Sequence, residues 1–237
     1  MASKDIADWR ADVRKYIKMP TANETLIDGE VLEACRDFLR ETSLWRYNLA
    51  RISVVASTAE YSFTAIDTDG KNVLVSLATA KYKEDGLDDD QFFDLALETR
   101  TTMEVKYSAS WEFQTAPNPS KIFITKEKKF RLFPIPENAS SEGLLLHVSV
   151  KPATDATKVP LFVWDDHMRT ITLGAVSLLL GQTNRPWSDR ELADKFWVEY
   201  TAKRDEATFK KWGGRTDRPL RVRPRVWSGS RSRFWRF

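Results

Sequence analysis

The chain has 237 residues, of which 42% are hydrophobic and 30% are charged, a composition typical of a folded globular protein and not of a disordered one. No apolar run approaches the ~20 residues of a membrane-spanning helix. The charged N-terminus lacks the apolar core of a signal peptide, so we expect a protein made in the cytoplasm. Cys35 is the only cysteine, which excludes an internal disulfide and a cysteine metal cluster, and we expect a buried core thiol.

The net charge of +3 is unevenly distributed along the chain. Residues 213–237, which we call the arm, hold eight arginines, no lysine and one aspartate. The arm therefore carries +7, and residues 1–212, which we call the body, carry −4. Such a concentration of charge on one terminal segment is typical of an interaction tail.

Two helices are predicted at the start of the chain. The first covers residues 3–18 and stops before Pro20, and Asp28 is expected to cap the second. Apolar residues recur in both at three- and four-residue spacings: Ile6, Trp9, Val13, Val31, Leu32, Cys35, Phe38, Leu39 and Trp45.

From Ile52 the hydrophobic period changes to two, which predicts strands. Asp69-Gly70 is a turn signal, and the helical spacing of residues 91–99 predicts a short helix there. In the last predicted strand, alternate residues from Leu144 to Val150 are expected to share one buried face. The predicted strands cover residues 52–55, 61–63, 73–77, 121–125, 129–136 and 144–151.

Helical periodicity returns after Pro160. Asp165 or Asp166 is expected to cap a helix that ends at Gly181. Within it, small residues around Gly174 leave room for a close neighbour.

The last helix has the clearest start signal. Ser188 and Glu191 fit a capping box, and Trp187 is expected to pack on Leu192 as a hydrophobic staple. The double glycine at residues 213–214 is expected to end this helix.

The order of elements, helices then strands then helices, predicts an α+β fold. We expect a helical bundle built from the N- and C-terminal helices, with an inserted β-sheet or small β-sandwich and an extended C-terminal arm. The expected divisions are residues 1–50 for the first helices, 51–160 for the β-rich module, 161–212 for the last helices and 213–237 for the arm.

The sequence contains no motif that argues for catalysis, a cofactor or a metal. It has no phosphate-binding glycine loop and no nucleophile elbow. Asp165, Asp166 and His167 are adjacent on a helix, where side chains diverge by ~100°, so capping is favoured over a metal triad. Residues 88–90 are three aspartates without the alternating ligands of a calcium loop, which favours a solvated acidic run.

The tryptophans fall into two groups. Trp9, Trp45, Trp187 and Trp197 lie on or beside helical faces and are expected in the core. Trp227 and Trp235 lie in the arm, where tryptophan and arginine together are typical of interface anchors.

Five stretches, in this order, resemble the adaptor or head-to-tail connector proteins of short-tailed bacteriophages. They cover residues 33–46, 130–136, 148–160, 185–196 and 219–225: EACRDFLRETSLWR, FRLFPIP, VSVKPATDATKVP, RPWSDRELADKF and PLRVRPR.

The resemblance implies a structural virion protein at the head-tail interface. Twelve copies would form a ring beneath the portal protein, tail or nozzle proteins would attach below, and packaged DNA would pass through the channel without sequence-specific contact. It implies no enzymatic activity, no cofactor and no membrane. Residues 101–120 and the last ten residues match no part of the family pattern.

On this interpretation the arm binds portal. Two prolines favour extended backbone, alternating apolar residues suit a strand added to another protein's sheet, and arginines suit bidentate pairing with carboxylates. The alternative is a nonspecific nucleic-acid-binding protein whose arm contacts phosphates and bases. The candidate residues are Arg218, Leu220, Arg221, Val222, Arg223, Arg225, Trp227, Arg231, Arg233, Phe234 and Trp235.

Overall fold

The computed structural model describes residues 2–18, 20, 23–49, 51–63, 71–88, 91–107, 111–125 and 129–213, the last four of these without their side chains. This part of the chain has a mixed α+β fold with five α-helices and several sheets, as the sequence predicts at the level of fold class. None of the described helices combines the length and the apolar content that a membrane crossing requires.

The secondary structure follows the order helices, strands, helices. The helices are α1 (Arg10–Arg14), α2 (Glu24–Thr42), α3 (Arg100–Lys106), α4 (Leu161–Leu180) and α5 (Arg190–Gly213), with 3-10 turns at Ile6–Trp9 and Trp111–Phe113. The strands are β1 (Ser3–Asp5), β2 (Arg46–Asn48), β3 (Ile52–Val54), β4 (Glu60–Tyr61), β5 (Asn72–Tyr82), β6 (Phe93–Asp94), β7 (Ala96–Leu97), β8 (Thr115–Ala116), β9 (Lys121–Ile124), β10 (Phe130–Phe133), β11 (Ile135–Pro136), β12 (Ser140–Pro152) and β13 (Lys158–Pro160).

The larger sheet is organised around β12. This strand pairs antiparallel with β2, β3 and β5, and β6 pairs with the other side of β5. The predicted alternation is confirmed, because Leu144, Leu146, Val148 and Val150 are all fully buried. Helix α2 packs against this strand, so the apolar face of β12 forms part of the main core.

The smaller sheet has the strand order β4-β10-β9-β7. Strands β9 and β10 confirm the strands predicted in residues 121–136, and a short parallel pair, β11 and β8, lies beside them. Four buried side chains form a second cluster here, which we call the small core: Met103, Trp111, Phe123 and Phe133.

The helix predicted at residues 91–99 is wrong. This segment forms β6 and β7, and its backbone bonds to both sheets: Leu95 N–H donates to the Ala80 carbonyl at 2.9 Å, and Ala96 N–H donates to the Ser120 carbonyl at 3.0 Å. These long-range bonds outweigh the local helical spacing, which covers only two turns. The next helix, α3, begins only at Arg100.

The predicted helix at residues 3–18 is correct only in part. Ser3–Asp5 is a strand paired with Lys158–Pro160, and a 3-10 turn precedes α1. The pairing explains the difference, because the strand bonds these residues to β13, whereas the first N–H groups of a helix have no partner within the helix. The predicted apolar positions Ile6, Trp9 and Val13 are nevertheless buried.

Asp28 does not cap the second helix. Helix α2 begins at Glu24, and the Asp28 carboxylate Oδ1 lies one turn inside it, where it accepts a hydrogen bond from Arg10 Nε at 2.8 Å. Its predicted apolar face is correct, with Val31, Cys35 and Phe38 fully buried.

The caps of the last two helices also differ from the prediction. Helix α4 begins directly after Pro160, so Asp165 and Asp166 lie inside it as exposed residues. The first turn of α5 is capped by Asp189, whose Oδ1 accepts the Leu192 N–H at 3.0 Å. Ser188 instead donates its hydroxyl to the Gln182 carbonyl in the preceding loop. The capping box is therefore replaced by a single aspartate one residue later.

Helix α4 packs against both α2 and α5, which also contact each other. Gly174 faces Tyr200 and Ala34, and a Cβ at residue 174 would lie 2.9 Å from the Tyr200 ring. This confirms the prediction that small residues in α4 admit a close neighbour.

Candidate interaction surfaces

The candidate portal-binding residues all lie in the arm, outside the described residues. They are Arg218, Leu220, Arg221, Val222, Arg223, Arg225, Trp227, Arg231, Arg233, Phe234 and Trp235. The structure instead shows how the body holds α5, the helix that leads into the arm and extends to Gly213.

A polar cluster joins α5 to α2. The Tyr200 hydroxyl donates to Asp37 Oδ2 at 2.9 Å and lies 3.2 Å from the Ala34 carbonyl oxygen. Arg204 Nη1 binds the same carboxylate oxygen at 3.0 Å. Burial, followed by the charge of Asp37, raises the pKa of Tyr200 above its usual range, so the hydroxyl stays protonated as a donor at neutral pH.

Further contacts fix α5 on α4. The Ser177 hydroxyl donates to the Ala193 carbonyl at 2.9 Å, which satisfies a backbone acceptor near the start of α5. Just after α4, the Gln182 amide donates to Glu30 of α2 at 2.8 Å, which holds α4 itself on α2. Helix α5 therefore has polar anchors on both neighbouring helices, in addition to its packing.

The opposite side of α5 exposes apolar residues. Val198 is 67% exposed and Phe209 is 73% exposed, and with Ala202 they lie at spacings that place them on one face of the helix. Trp197 is 39% exposed and packs by its ring on Tyr200 at 5.2 Å, so its assignment to the core is wrong. The assignment is correct for Trp9 and Trp45, which are buried, and Trp187 is half-buried against the main core.

The small core carries a second exposed apolar surface that the sequence did not predict. Val105 in α3 is 82% exposed, and Phe113 is 79% exposed. Both come from residues 101–120, the segment that matches no family pattern. The only signal was the concentration of aromatic residues at positions 107–113, because no periodicity marks which of them face inward.

The described residues contain no cluster of three or more histidine, cysteine or acidic side chains suited to a metal ion. His167 packs its ring on Phe38 at 4.7 Å, and Asp165 and Asp166 are exposed beside it. Burial raises the pKa of the Cys35 thiol, which is fully buried as expected, so this thiol is an unreactive core residue.

No protein-family model matches this sequence, and a search of curated proteins finds no relative.

Proposed function

We propose that the protein is a head-to-tail adaptor of a short-tailed bacteriophage. The observation that carries this proposal is the separation of charge between an arm of +7 and a body of −4. A segment that must enter another protein needs its own charge and apolar anchors, whereas a nucleic-acid-binding fold would extend basic charge onto the body.

The attachment of the arm supports this function. Helix α5 is held by Asp37 on one neighbour and by Ser177 on the other, so the arm begins from a fixed position. A fixed origin reduces the entropy lost when the arm binds. Arginine side chains in the arm can form bidentate pairs with carboxylates, and tryptophan side chains supply large apolar anchors.

The proposed architecture has three parts: a helical bundle, a β-rich module and a docking arm. The N- and C-terminal helices form a bundle, residues 51–160 form the inserted β-rich module, and residues 213–237 form an extended docking arm. Twelve copies form a ring beneath the portal protein, tail or nozzle proteins bind below, and packaged DNA passes through the channel without sequence-specific contact. The exposed faces at Phe209 and Phe113 are suited to subunit or tail contacts.

The test compares apolar and charge substitutions in the arm for binding to cognate portal rings by co-sedimentation. We expect replacement of Leu220, Val222, Trp227 and Trp235 with serine to abolish binding. Replacement of Arg221, Arg223 and Arg225 with lysine should weaken binding about tenfold, because lysine keeps the charge and loses the bidentate geometry. A matched serine substitution at Val55, which is 56% exposed, controls for loss of exposed apolar surface outside the arm.

The same variants distinguish the nucleic-acid alternative, which is favoured by the eight arginines of the arm. If the arm contacts phosphates, lysine should replace arginine without loss, and affinity for duplex DNA should fall linearly with the logarithm of salt concentration. Tight DNA binding at physiological salt with no binding to portal would overturn the adaptor proposal.

A further inference from the structure

Helix α5 is apolar on two sides. Its inner side packs into the main core through three buried side chains: Ala193, Tyr200 and Ala207. On the outer side, Val198 is 67% exposed, Phe209 is 73% exposed, and Ala202 is exposed between them. These residues are four and seven positions apart, so they lie along one side of the helix. We call Val198, Ala202 and Phe209 the outer stripe.

An apolar outer side is unusual for a helix at the surface of a protein. A surface helix normally presents polar residues to solvent, whereas a helix that is apolar on all sides is covered by other segments. The exposure of Val198 and Phe209 shows that the described residues leave the outer stripe open. The covering segment is therefore either the arm or another molecule.

The arm begins where the outer stripe ends. Helix α5 extends to Gly213, so Phe209 lies about 6 Å and Val198 about 22 Å from the origin of the arm, measured along the helix axis. The glycines at residues 213 and 214 permit the backbone conformations of a tight reversal. After such a reversal, about seven extended residues span the whole outer stripe. The arm is long enough, because it continues to residue 237.

The apolar residues of the arm match the outer stripe in register. If the chain reverses over residues 213–215, an extended arm places Leu220 about 16 Å and Val222 about 23 Å back along α5. Ala202 and Val198 lie at the same two distances from Gly213. Leu220 and Val222 are two residues apart, so an extended backbone directs both side chains to one side and the arginines between and after them to the other.

The exposed charges of α5 favour the arm over a second copy of the helix. The outer side exposes four carboxylates and one lysine: Glu191, Asp194, Lys195, Asp205 and Glu206. The cations at its edges, Lys203 and Arg204, contact Glu199 and Asp37. Two outer sides facing each other would place like charges together, whereas the arm carries +7.

We propose that the arm of the free protein folds back along the outer side of α5. Leu220 and Val222 cover Ala202 and Val198, the reversal covers Phe209, and Arg218 lies level with Asp205. Docking within one chain is favoured over docking between chains, because a short connection gives a high effective concentration.

The docked arm would regulate assembly, an inference that rests on the proposed function. Leu220 and Val222 are among the residues proposed to bind portal, so portal competes with α5 for the arm. Release of the arm uncovers the outer stripe, which then becomes available to a neighbouring subunit. Free subunits are thereby kept apart until portal is present.

The test measures energy transfer between dyes in the full-length protein without portal. Arg190→Cys at the start of α5 and Ser228→Cys in the arm accept the labels, since buried Cys35 does not react. A docked arm places the labels within about 20 Å of each other. A free arm that behaves as a coil separates them by about 40 Å on average.

The stripe variant combines Val198→Ser with Phe209→Ser. The matched control combines Val105→Ser with Phe113→Ser, which removes the same two side-chain types at positions that are 82% and 79% exposed. All four side chains are exposed, so we expect both variants to fold, as circular dichroism would verify. A third variant, Leu220→Ser with Val222→Ser, removes the same contact from the side of the arm.

We expect efficient transfer in the parent protein and in the control. The stripe variant and the arm variant should each lower the ratio of docked to undocked arm about tenfold, because apolar contact area is lost. Weak transfer in the parent protein, or equal transfer in the stripe variant and the control, would overturn the proposal. Transfer between singly labelled chains after mixing would also overturn it, because it would show docking between copies. Portal is absent, so a failure of portal binding leaves this result unchanged.

Discussion

The main core and the small core are built on different scales. The main core joins residues from α2, α4, α5 and β12, so each buried side chain is supported from several elements. The small core has four buried side chains, all within residues 103–133. A defect in the main core should therefore affect the whole fold, whereas a defect in the small core should stay local.

The strongest test of this difference is Phe38→Ala in the main core. Phe38 is fully buried and contacts His167 of α4. We expect a loss of about 3–5 kcal/mol in the free energy of unfolding, measured by denaturant titration with circular dichroism. Val105→Ala, at an 82% exposed position, should change stability by less than about 0.5 kcal/mol.

In the small core, Trp111→Ala removes a ring that packs on Phe123 and Phe133 at 5.6 and 5.7 Å. We expect about 3 kcal/mol of local destabilisation. Amide hydrogen exchange should accelerate in α3 and β9 while α2 and α4 keep their protection. Uniform acceleration across the molecule would show that the two cores unfold as one unit.

At the rim of the main core, Trp187→Ala should cost about 1–3 kcal/mol, because the side chain is only half-buried. Trp187 lines a groove with Tyr16, Ile17 and Leu192, so its loss loosens the start of α5 against the N-terminal segment. The measurement is the thermal melting temperature. An unchanged value would mean that this contact does not stabilise the last helix.

The smallest effect is expected for Tyr200→Phe, which keeps the ring and removes the hydroxyl bonded to Asp37. We expect a loss of about 1–2 kcal/mol at neutral pH. Because the folded state raises the pKa of Tyr200, its contribution is present below about pH 10 and is lost as the pH rises above that value. Denaturant titrations at pH 7 and pH 11 should therefore show a smaller difference between the two proteins at pH 11.

Sequence patterns predicted the parts of the fold that have long, regular periodicity. The predicted buried positions of β12 and α2 were correct because burial repeats at a regular spacing along each element. The segment at residues 91–99 was misassigned because its structure depends on bonds to Ala80 and Ser120, which no local pattern reports.

Features that depend on single contacts were harder to predict. The caps at Asp28 and Ser188 were wrong because several residues near each helix start have suitable side chains, and tertiary contacts select among them. The small core was not predicted because its four buried residues do not recur at a regular spacing in the sequence. The candidate portal-binding residues remain a prediction, since they lie outside the described residues.

The close approach of Gly174 to Tyr200 has a mechanical consequence for the end of α5. Tyr200 and Arg204 both bond to α2, and the helix continues about 14 Å beyond Arg204 to Gly213. Gly213 lies about 20 Å along the helix from Tyr200, so a tilt of about 5° at this contact would displace the end of the helix by about 2 Å. The absence of a side chain at residue 174 thus sets the direction of the last turns of α5.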